Sequence, residues 1–269
     1  MNADTVRNAR SLLFVPGNRP QRFAKAVAAQ PDIVIVDLED AVGADEKTSA
    51  REHTAAWLAA GNTAMVRINA SGTPWHDDDL AMVAQFRVPV MPAKAERVGE
   101  LERVTELAPG APVVPLIETA AGVAGVHQLC AVDGVARVAF GSIDLGNELG
   151  VDPDHRDALL LHRTLLVLAS AAAGLAPPID GVTTVFTETE TVTDDFRYAR
   201  SLGMAAKLCI HPAQVAAVHR AAAPTDADIA WATEVVAAAV GSDGSAVAVN
   251  GRMIDVPVVE RARRILAVR

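Results

Sequence analysis

Eight times along this chain, a short Val/Ile-rich run gives way to a longer amphipathic stretch. The runs are SLLFVP (11–16), DIVIVDLE (32–39), AMVRIN (64–69), VPVMPAK (88–94), APVVPLIE (111–118), RVAFGSID (137–144), APPIDGV (176–182) and AAKLCI (205–210). Short apolar runs bounded by Pro, Gly, Asn or Asp read as strands buried on both faces. The segments between them, from PQRFAKAVAAQ to PAQVAAVHRAAA, read as helices. Fully buried strands alternating with helices require a mostly parallel sheet covered by those helices. Eight such units match the count of a (β/α)8 TIM barrel, an α/β fold. The competing architecture is an open doubly wound sheet. It usually has fewer strands, and no Gly-x-Gly-x-x-Gly turn follows the first run here.

The alternation stops near residue 223, so the expected barrel domain is 1–223 and the expected extension 224–269. TDADIAWATEVVAAAV reads as a ninth helix. A hairpin follows, with Asn250-Gly251 as its turn, and then a short closing helix. This helix–hairpin–helix tail reads as a lid or an arm reaching a neighbouring subunit.

The 269 residues are 51% hydrophobic and 21% charged, enough apolar material for a sizeable core. A net charge of −9 argues against nucleic acid or anionic membrane as the main partner. It leaves room for a small anion bound at a local basic site. Cys130 and Cys209 stand in apolar contexts and read as reduced core thiols. No run approaches the ~20 apolar residues of a membrane span. The expected setting is therefore soluble and cytoplasmic.

Barrels of this kind carry their chemistry at the carboxyl ends of the strands. The polar residues there are Asp37, Glu39 and Asp40 after the second run, Arg67 and Asn69 in the third, and Lys94 after the fourth. Glu118 ends the fifth, Asp144 the sixth, Asp180 the seventh, and His211 follows the eighth. Strand alternation puts Asp37 and Glu39 on one face and Asp40 on the other. Each residue also has a plainer reading. Glu118 and Asp144 precede helices and suit capping. Asp180-Gly181 suits a turn, His211 suits packing or capping, and Lys94 suits pairing with a strand-end acid. The signal is their concentration at one rim around one arginine. Two carboxylates on adjacent strands beside an Arg suit a hard, oxygen-seeking cation such as Mg2+, with Mn2+ as the alternative, and an anionic ligand. No His/Cys cluster offers a zinc site.

The ordered motifs RSLLFVPGNRP (10–20), VDLEDAV (36–42), VRIN (66–69), PLIETAAGV (115–123), FGSIDLGNELG (140–150), IDGV (179–182), AKLCIHPAQV (206–215) and GRMIDVPVVERARRIL (251–266) resemble the citrate lyase β-subunit-like members of the HpcH/HpaI aldolase superfamily. The resemblance implies a (β/α)8 barrel. It implies that Glu118 and Asp144 ligate Mg2+, with Glu118 also bordering the substrate, and that Arg67 holds the oxo acid and the developing enolate. Asp37, Glu39 and Asp40 become an acidic cluster near the metal. Asp255 becomes a proton-transfer residue delivered by a neighbour's lid, in a trimer or hexamer. The chain departs from the family pattern at Ile143, where many of its lyases carry Glu, and at Ala93 and Ala206.

By the same resemblance, the expected function is Mg2+-dependent carbon–carbon cleavage, or the reverse condensation, of a short 3-hydroxyacyl-CoA-type thioester (malyl, citramalyl or citryl). The alternatives are a hydroxyacyl-CoA thioesterase and a class II aldolase acting on free hydroxy-keto acids. The aldolases use a His-Asp base, and no His stands beside the VDLED acids.

Overall fold

A computed structural model describes residues 1–240, 247–249 and 252–267. The chain packs as two compact units, Met1–His219 and Arg220–Arg269. In the first unit, strands β1 (Ser11–Pro16), β2 (Ile33–Asp37), β3 (Met65–Ile68), β4 (Val90–Pro92), β5 (Leu116–Ile117), β6 (Ala139–Phe140), β7 (Ile179–Asp180) and β8 (Ala206–Cys209) form one sheet in the order β4-β3-β2-β1-β8-β7-β6-β5. All of its strand pairs are parallel. The two ends of the sheet meet through Val113, which bridges Val90 on one side and Val135 on the other. Hydrogen bonds from Val90 N to Pro112 O (3.0 Å) and from Val114 N to Val90 O (2.9 Å) close the ring. The fold is the eight-stranded α/β barrel that the repeating pattern predicts.

Alternate side chains of the strands fill the barrel. Leu12, Ile33, Ile35, Met65, Met91 and Leu116 belong to one buried cluster, with Ile179, Ala206 and Leu208 from the far side. Val6 and Ala9, from the N-terminal helix Ala3–Asn8 and its C-cap, pack into the same cluster. Arg137 is fully buried and donates to the carbonyls of Ala9 (2.6 Å) and Pro177. It thereby ties the N-terminal helix to the barrel. Cys130 and Cys209 are free and buried, and burial pushes their thiols up to about 11 and about 12 respectively.

The second unit has the expected element order. Helix Asp226–Ala239 begins with a capping box between Thr225 and Asp228. Strands β9 (Val247–Val249) and β10 (Arg252–Ile254) pair antiparallel. The helix Val256–Leu266 follows, capped by Asp255. Ala232, Val235, Ile254 and Ala262 form the core of this unit. The Asn250-Gly251 turn lies outside the described residues. Among the described residues, no helix is long and apolar enough to cross a membrane.

Candidate active site

The site is built where the strands end. β2 stops at Asp37, and the Asp37 carboxylate then organises the turn behind it. Its Oδ1 accepts Glu39 N–H at 2.9 Å and its Oδ2 accepts Ala41 N–H at 3.2 Å. The same two oxygens take a two-bonded fork from Arg67, Nε at 2.7 Å and Nη2 at 2.6 Å. Paired register explains the meeting, since Asp37 and Arg67 are direct neighbours on β2 and β3. Arg67 Nη1 also reaches Glu39 at 3.2 Å, and its guanidinium lies 4.8 Å from the Phe14 ring centre. Burial opposes the charge on Arg67, but Asp37 and Glu39 together hold its pKa above the ordinary arginine range.

Lys94 closes the other side. Its ammonium is bonded to Glu39 and stands 3.5 Å from Asp40. Burial raises the pKa of Glu39 despite Arg67 and Lys94. Burial resists ionisation at Asp40 too, but Glu39 and Lys94 leave its carboxyl below the usual range. Alternation along the strand assigns Asp40 to the opposite face from Asp37, and the structure corrects this. The regular strand ends at Asp37, the turn rotates the following residues, and Asp37 and Asp40 line one cavity.

A buried network holds this turn in place. Lys47 donates to the carbonyls of Leu38 and Glu39 (both 2.8 Å) and to Asn69 Oδ1 at 2.6 Å. Asn69 donates in turn to Asp79, which Arg51 pairs at 2.8 Å. Sequence reasoning lists Asn69 but misses Lys47 and Asp79. They are buried on the helices Lys47–Ala59 and His76–Phe86, with nothing in their spacing to mark them.

Glu118 follows β5 and is 1% exposed. Its Oε1 accepts the backbone N–H of Lys94 at 2.8 Å, and no donor among the described residues reaches Oε2. The capping role belongs to the next residue: Thr119 Oγ1 accepts from Gly122 N–H at 3.0 Å. Thr immediately before Ala-Ala-Gly is the signal that could have identified this cap. Gly141, after β6, gives the glutamate room, since a Cβ there would fall 2.3 Å from Glu118 Cβ. Burial, opposed by Arg67 and reinforced by Glu39, pushes the Glu118 carboxyl up to about 8.

Asp144 lies in the first turn of helix Ser142–Leu149 and accepts no hydrogen bond from the described residues. Asp37, Asp40, Arg67, Glu118 and Asp144 all line one cavity of about 220 Å³. Glu39 stands behind them, bonded to Arg67 and Lys94. Asp255 lies in the second unit, where its carboxylate caps the last helix by accepting Val258 N–H at 3.3 Å. Asp180 makes no turn contact of the expected kind. It is buried between Lys207 (3.0 Å) and Arg163 (2.8 Å). His211 stacks on Phe186 at 5.0 Å and accepts Ala213 N–H.

The pair Glu118/Asp144 fits a hard divalent cation. A buried carboxylate with one oxygen unpartnered and its pKa raised by desolvation is stabilised by a cation placed beside it. Among the described residues no three His, Cys, Asp or Glu side chains converge as a cage. Two carboxylates therefore leave the remaining positions to water and ligand, as Mg2+ prefers.

Fold and site together define a barrel enzyme class with a carboxylate–arginine rim. The sequence profile of the HpcH/HpaI aldolase/citrate lyase family matches residues 10–212, and the chain belongs to that family. It is 36% identical over 274 residues to a citrate lyase subunit beta-like protein of Deinococcus radiodurans, covering 96% of each chain. It is 32% identical over 268 residues to a (3S)-malyl-CoA thioesterase of Cereibacter sphaeroides, covering 96% of this chain and 93% of that one. Its fold matches the Mycobacterium tuberculosis CitE protein in complex with magnesium, acetoacetate and coenzyme A. The TM-score is 0.86 at 34% identity, over 97% of this chain and 98% of that one.

Proposed function

We propose that this protein is a Mg2+-dependent carbon–carbon lyase acting on a short 3-hydroxyacyl thioester. The observation that carries the reading is Glu118 itself. It is buried, has one oxygen tied to Lys94 and the other unpartnered, and shares a cavity with Asp144 and Arg67. In this reading Glu118 and Asp144 hold the ion. Bound Mg2+ supplies Lewis-acid polarisation of the hydroxy acid and lowers the pKa of its hydroxyl.

The chain's own groups do the rest. Arg67 is fixed by the Asp37 fork and stays charged, so it can bind an anionic oxygen without reorganising first. As the bond between the carbinol carbon and the carbon next to the thioester breaks, the hydroxyl proton passes to water in the cavity and the carbinol becomes the carbonyl of the 2-oxo acid. The electron pair passes to the thioester enolate, which then takes a proton. Asp255, delivered by the extension of a neighbouring subunit in a trimer or hexamer, is the proposed proton donor. Asp37, Glu39 and Asp40 keep Arg67 and Lys94 oriented and would stand as an acidic cluster near the ion. A CoA-linked thioester is in keeping with the coenzyme A bound in the complex of the Mycobacterium tuberculosis relative.

The test is an assay of malyl-, citramalyl- and citryl-CoA with Mg2+, reading 2-oxo acid and free CoA separately. Formation of 2-oxo acid together with an acyl thioester is the expected result. Free CoA without a 2-oxo acid would sink the lyase reading and favour hydrolysis, the activity in the name of the Cereibacter sphaeroides relative.

A further inference from the structure

The two carboxylates of the site are held in different ways. Glu118 is fixed directly: the backbone N–H of Lys94 bonds its Oε1, and Gly141 leaves the room in which it lies. Asp144 accepts no hydrogen bond from the described residues, so its carboxylate goes where helix Ser142–Leu149 carries it. That helix is tied to the Glu118 side by Glu148, whose Oε2 accepts the backbone N–H of Ala120 at 2.9 Å. Ala120 opens helix Ala120–Ala124, two residues after Glu118. Thr119 caps that helix through Gly122 N–H and leaves the Ala120 donor to Glu148. Among the described residues, no other hydrogen bond joins the two helices. The anchor point is itself firmly seated. A Cβ on Gly122 would fall 2.6 Å from the Ala95 carbonyl oxygen, so this helix start lies hard against the chain leaving β4. Asp144 and Glu148 stand four residues apart and share one face of their helix, a turn from each other. Asp144 lines the cavity, whereas Glu148 is exposed and does not.

We infer that Glu148 is a positioning residue for the ion site: by anchoring helix Ser142–Leu149 to the Ala120 N–H, it sets where Asp144 stands relative to Glu118. The inference rests on the reading of Glu118 and Asp144 as the ligands of the ion. Mg2+ demands near-ideal octahedral geometry, so a shift of one ligand-bearing helix weakens binding even when both ligands remain. Groups that orient ligands in this way are worth about 10–100-fold in metal affinity. What the anchor needs is an acceptor oxygen, not a charge, and the amide oxygen of Gln supplies one. A long-range effect of the Glu148 charge would instead be lost in Gln and Ala alike.

The experiment uses the full chain, freed of metal and titrated with Mg2+ by calorimetry well below its melting temperature, with thermal melts alongside. Glu148→Ala should weaken Mg2+ binding by about 10- to 100-fold, with a melting temperature close to wild type. Glu148→Gln should stay within a few-fold of wild type. Ala120→Pro removes the same bond from the other side. Proline is tolerated at a first helical position, and the extended Thr119 before it is compatible with a following proline. This variant should match Glu148→Ala, and the double variant should bind no more weakly than either single one, because all three lose one and the same bond. Unchanged Mg2+ affinity in Glu148→Ala would overturn the inference. So would a Glu148→Gln variant as weak as Glu148→Ala, or additive losses in the double variant. If Ala120→Pro melts far below wild type, the comparison of Glu148→Ala with Glu148→Gln decides alone. Failure of the underlying site reading looks different: Glu118→Gln, titrated beside them, would keep wild-type Mg2+ affinity.

Discussion

The backbone N–H of Lys94 donates to Glu118 Oε1 at 2.8 Å, so the glutamate that follows β5 is oriented by the chain leaving β4. Lys94 makes this contact from a left-handed backbone, φ 48°. That conformation costs a non-glycine residue roughly 1–2 kcal/mol. The cost is offset locally, because the same residue places its ammonium on Glu39. Glu118 is thereby held with Oε1 satisfied and Oε2 left for a ligand.

This relationship separates charge from packing at the site. Glu118→Gln keeps an oxygen to accept Lys94 N–H but removes the negative charge. The metal-free variant should melt no lower than the wild type yet lose Mg2+ affinity by at least about 100-fold. Asp144→Asn should do the same. Calorimetric Mg2+ titration beside thermal melts checks both. Wild-type metal affinity in either variant would remove that residue from the ion site.

The raised carboxyl of Glu118 also makes a prediction about pH. Its folded pKa of about 8 lies above the ordinary value of 4.5. Between those values the folded state holds a proton that the unfolded state has released. The metal-free protein must therefore lose stability as pH rises from about 4.5 to about 8. Glu118→Gln lacks this term, so it should gain stability relative to wild type as pH climbs from 5 to 8. Saturating Mg2+ should erase the difference at the upper end by binding the wild-type carboxylate. Denaturant melts at several pH values measure this. A gap that does not change with pH would contradict the assignment.

The barrel was legible because its signal repeats. Eight buried strands impose the same apolar run eight times, and no alternative fold uses that count as economically. The strand-end carboxylates were legible because a charge after a buried run must emerge somewhere useful. The supporting layer was less visible. Lys47 reaches two carbonyls of the Asp37–Asp40 turn only because a helix folds back over it, and such a contact has no sequence period. The placement of Asp40 failed for a related reason. Period-2 reasoning holds only while the backbone stays extended, and here it stops at Asp37. Asp180 looked like turn chemistry because Gly181 follows it. Its partners Lys207 and Arg163 come from β8 and from helix Leu160–Ala172, close in space and distant in sequence.

That buried cluster carries a stability prediction of its own. Burial resists ionisation of Asp180, yet Lys207 and Arg163 hold its carboxyl below the usual range. Asp180→Ala would leave two buried cations without their shared partner. It should cost about 3–5 kcal/mol of folding stability. By contrast, Asp77→Ala, at an exposed surface pair with Arg103, should change stability by less than about 1 kcal/mol. Urea denaturation of both variants makes the comparison, and equal effects would mean that the Asp180 cluster is not a buried ionic centre.

Arg67 tests the geometry of the rim. Arg67→Lys keeps a positive charge but cannot reproduce the fork on Asp37 or the guanidinium contact over Phe14. Turnover should fall by roughly 100- to 1,000-fold, the scale for removing one preorganised donor at a developing negative charge. Mg2+ affinity should move far less, because Arg67 is not a ligand. Steady-state kinetics with the cleaved thioester, set beside a metal titration, gives both numbers. A variant that loses metal binding and activity together would place Arg67 in the support of the ion instead.

Asp255 offers a separation that few capping residues allow. Its carboxylate caps the helix Val256–Leu266 by accepting Val258 N–H, and Asn is as good an N-cap as Asp. Asp255→Asn should therefore leave the melting temperature and Mg2+ affinity close to wild type. If the carboxylate also exchanges a proton with the thioester carbon, turnover should drop by about 100- to 10,000-fold. Solvent-deuterium incorporation into the acyl product should fall with it. Mixing Asp255→Asn chains with Glu118→Gln chains then asks whether the residue acts across subunits. Each variant should have little activity alone, and delivery from a neighbour predicts partial recovery of activity in mixed oligomers. Full activity of Asp255→Asn by itself would leave the residue as a helix cap and nothing more.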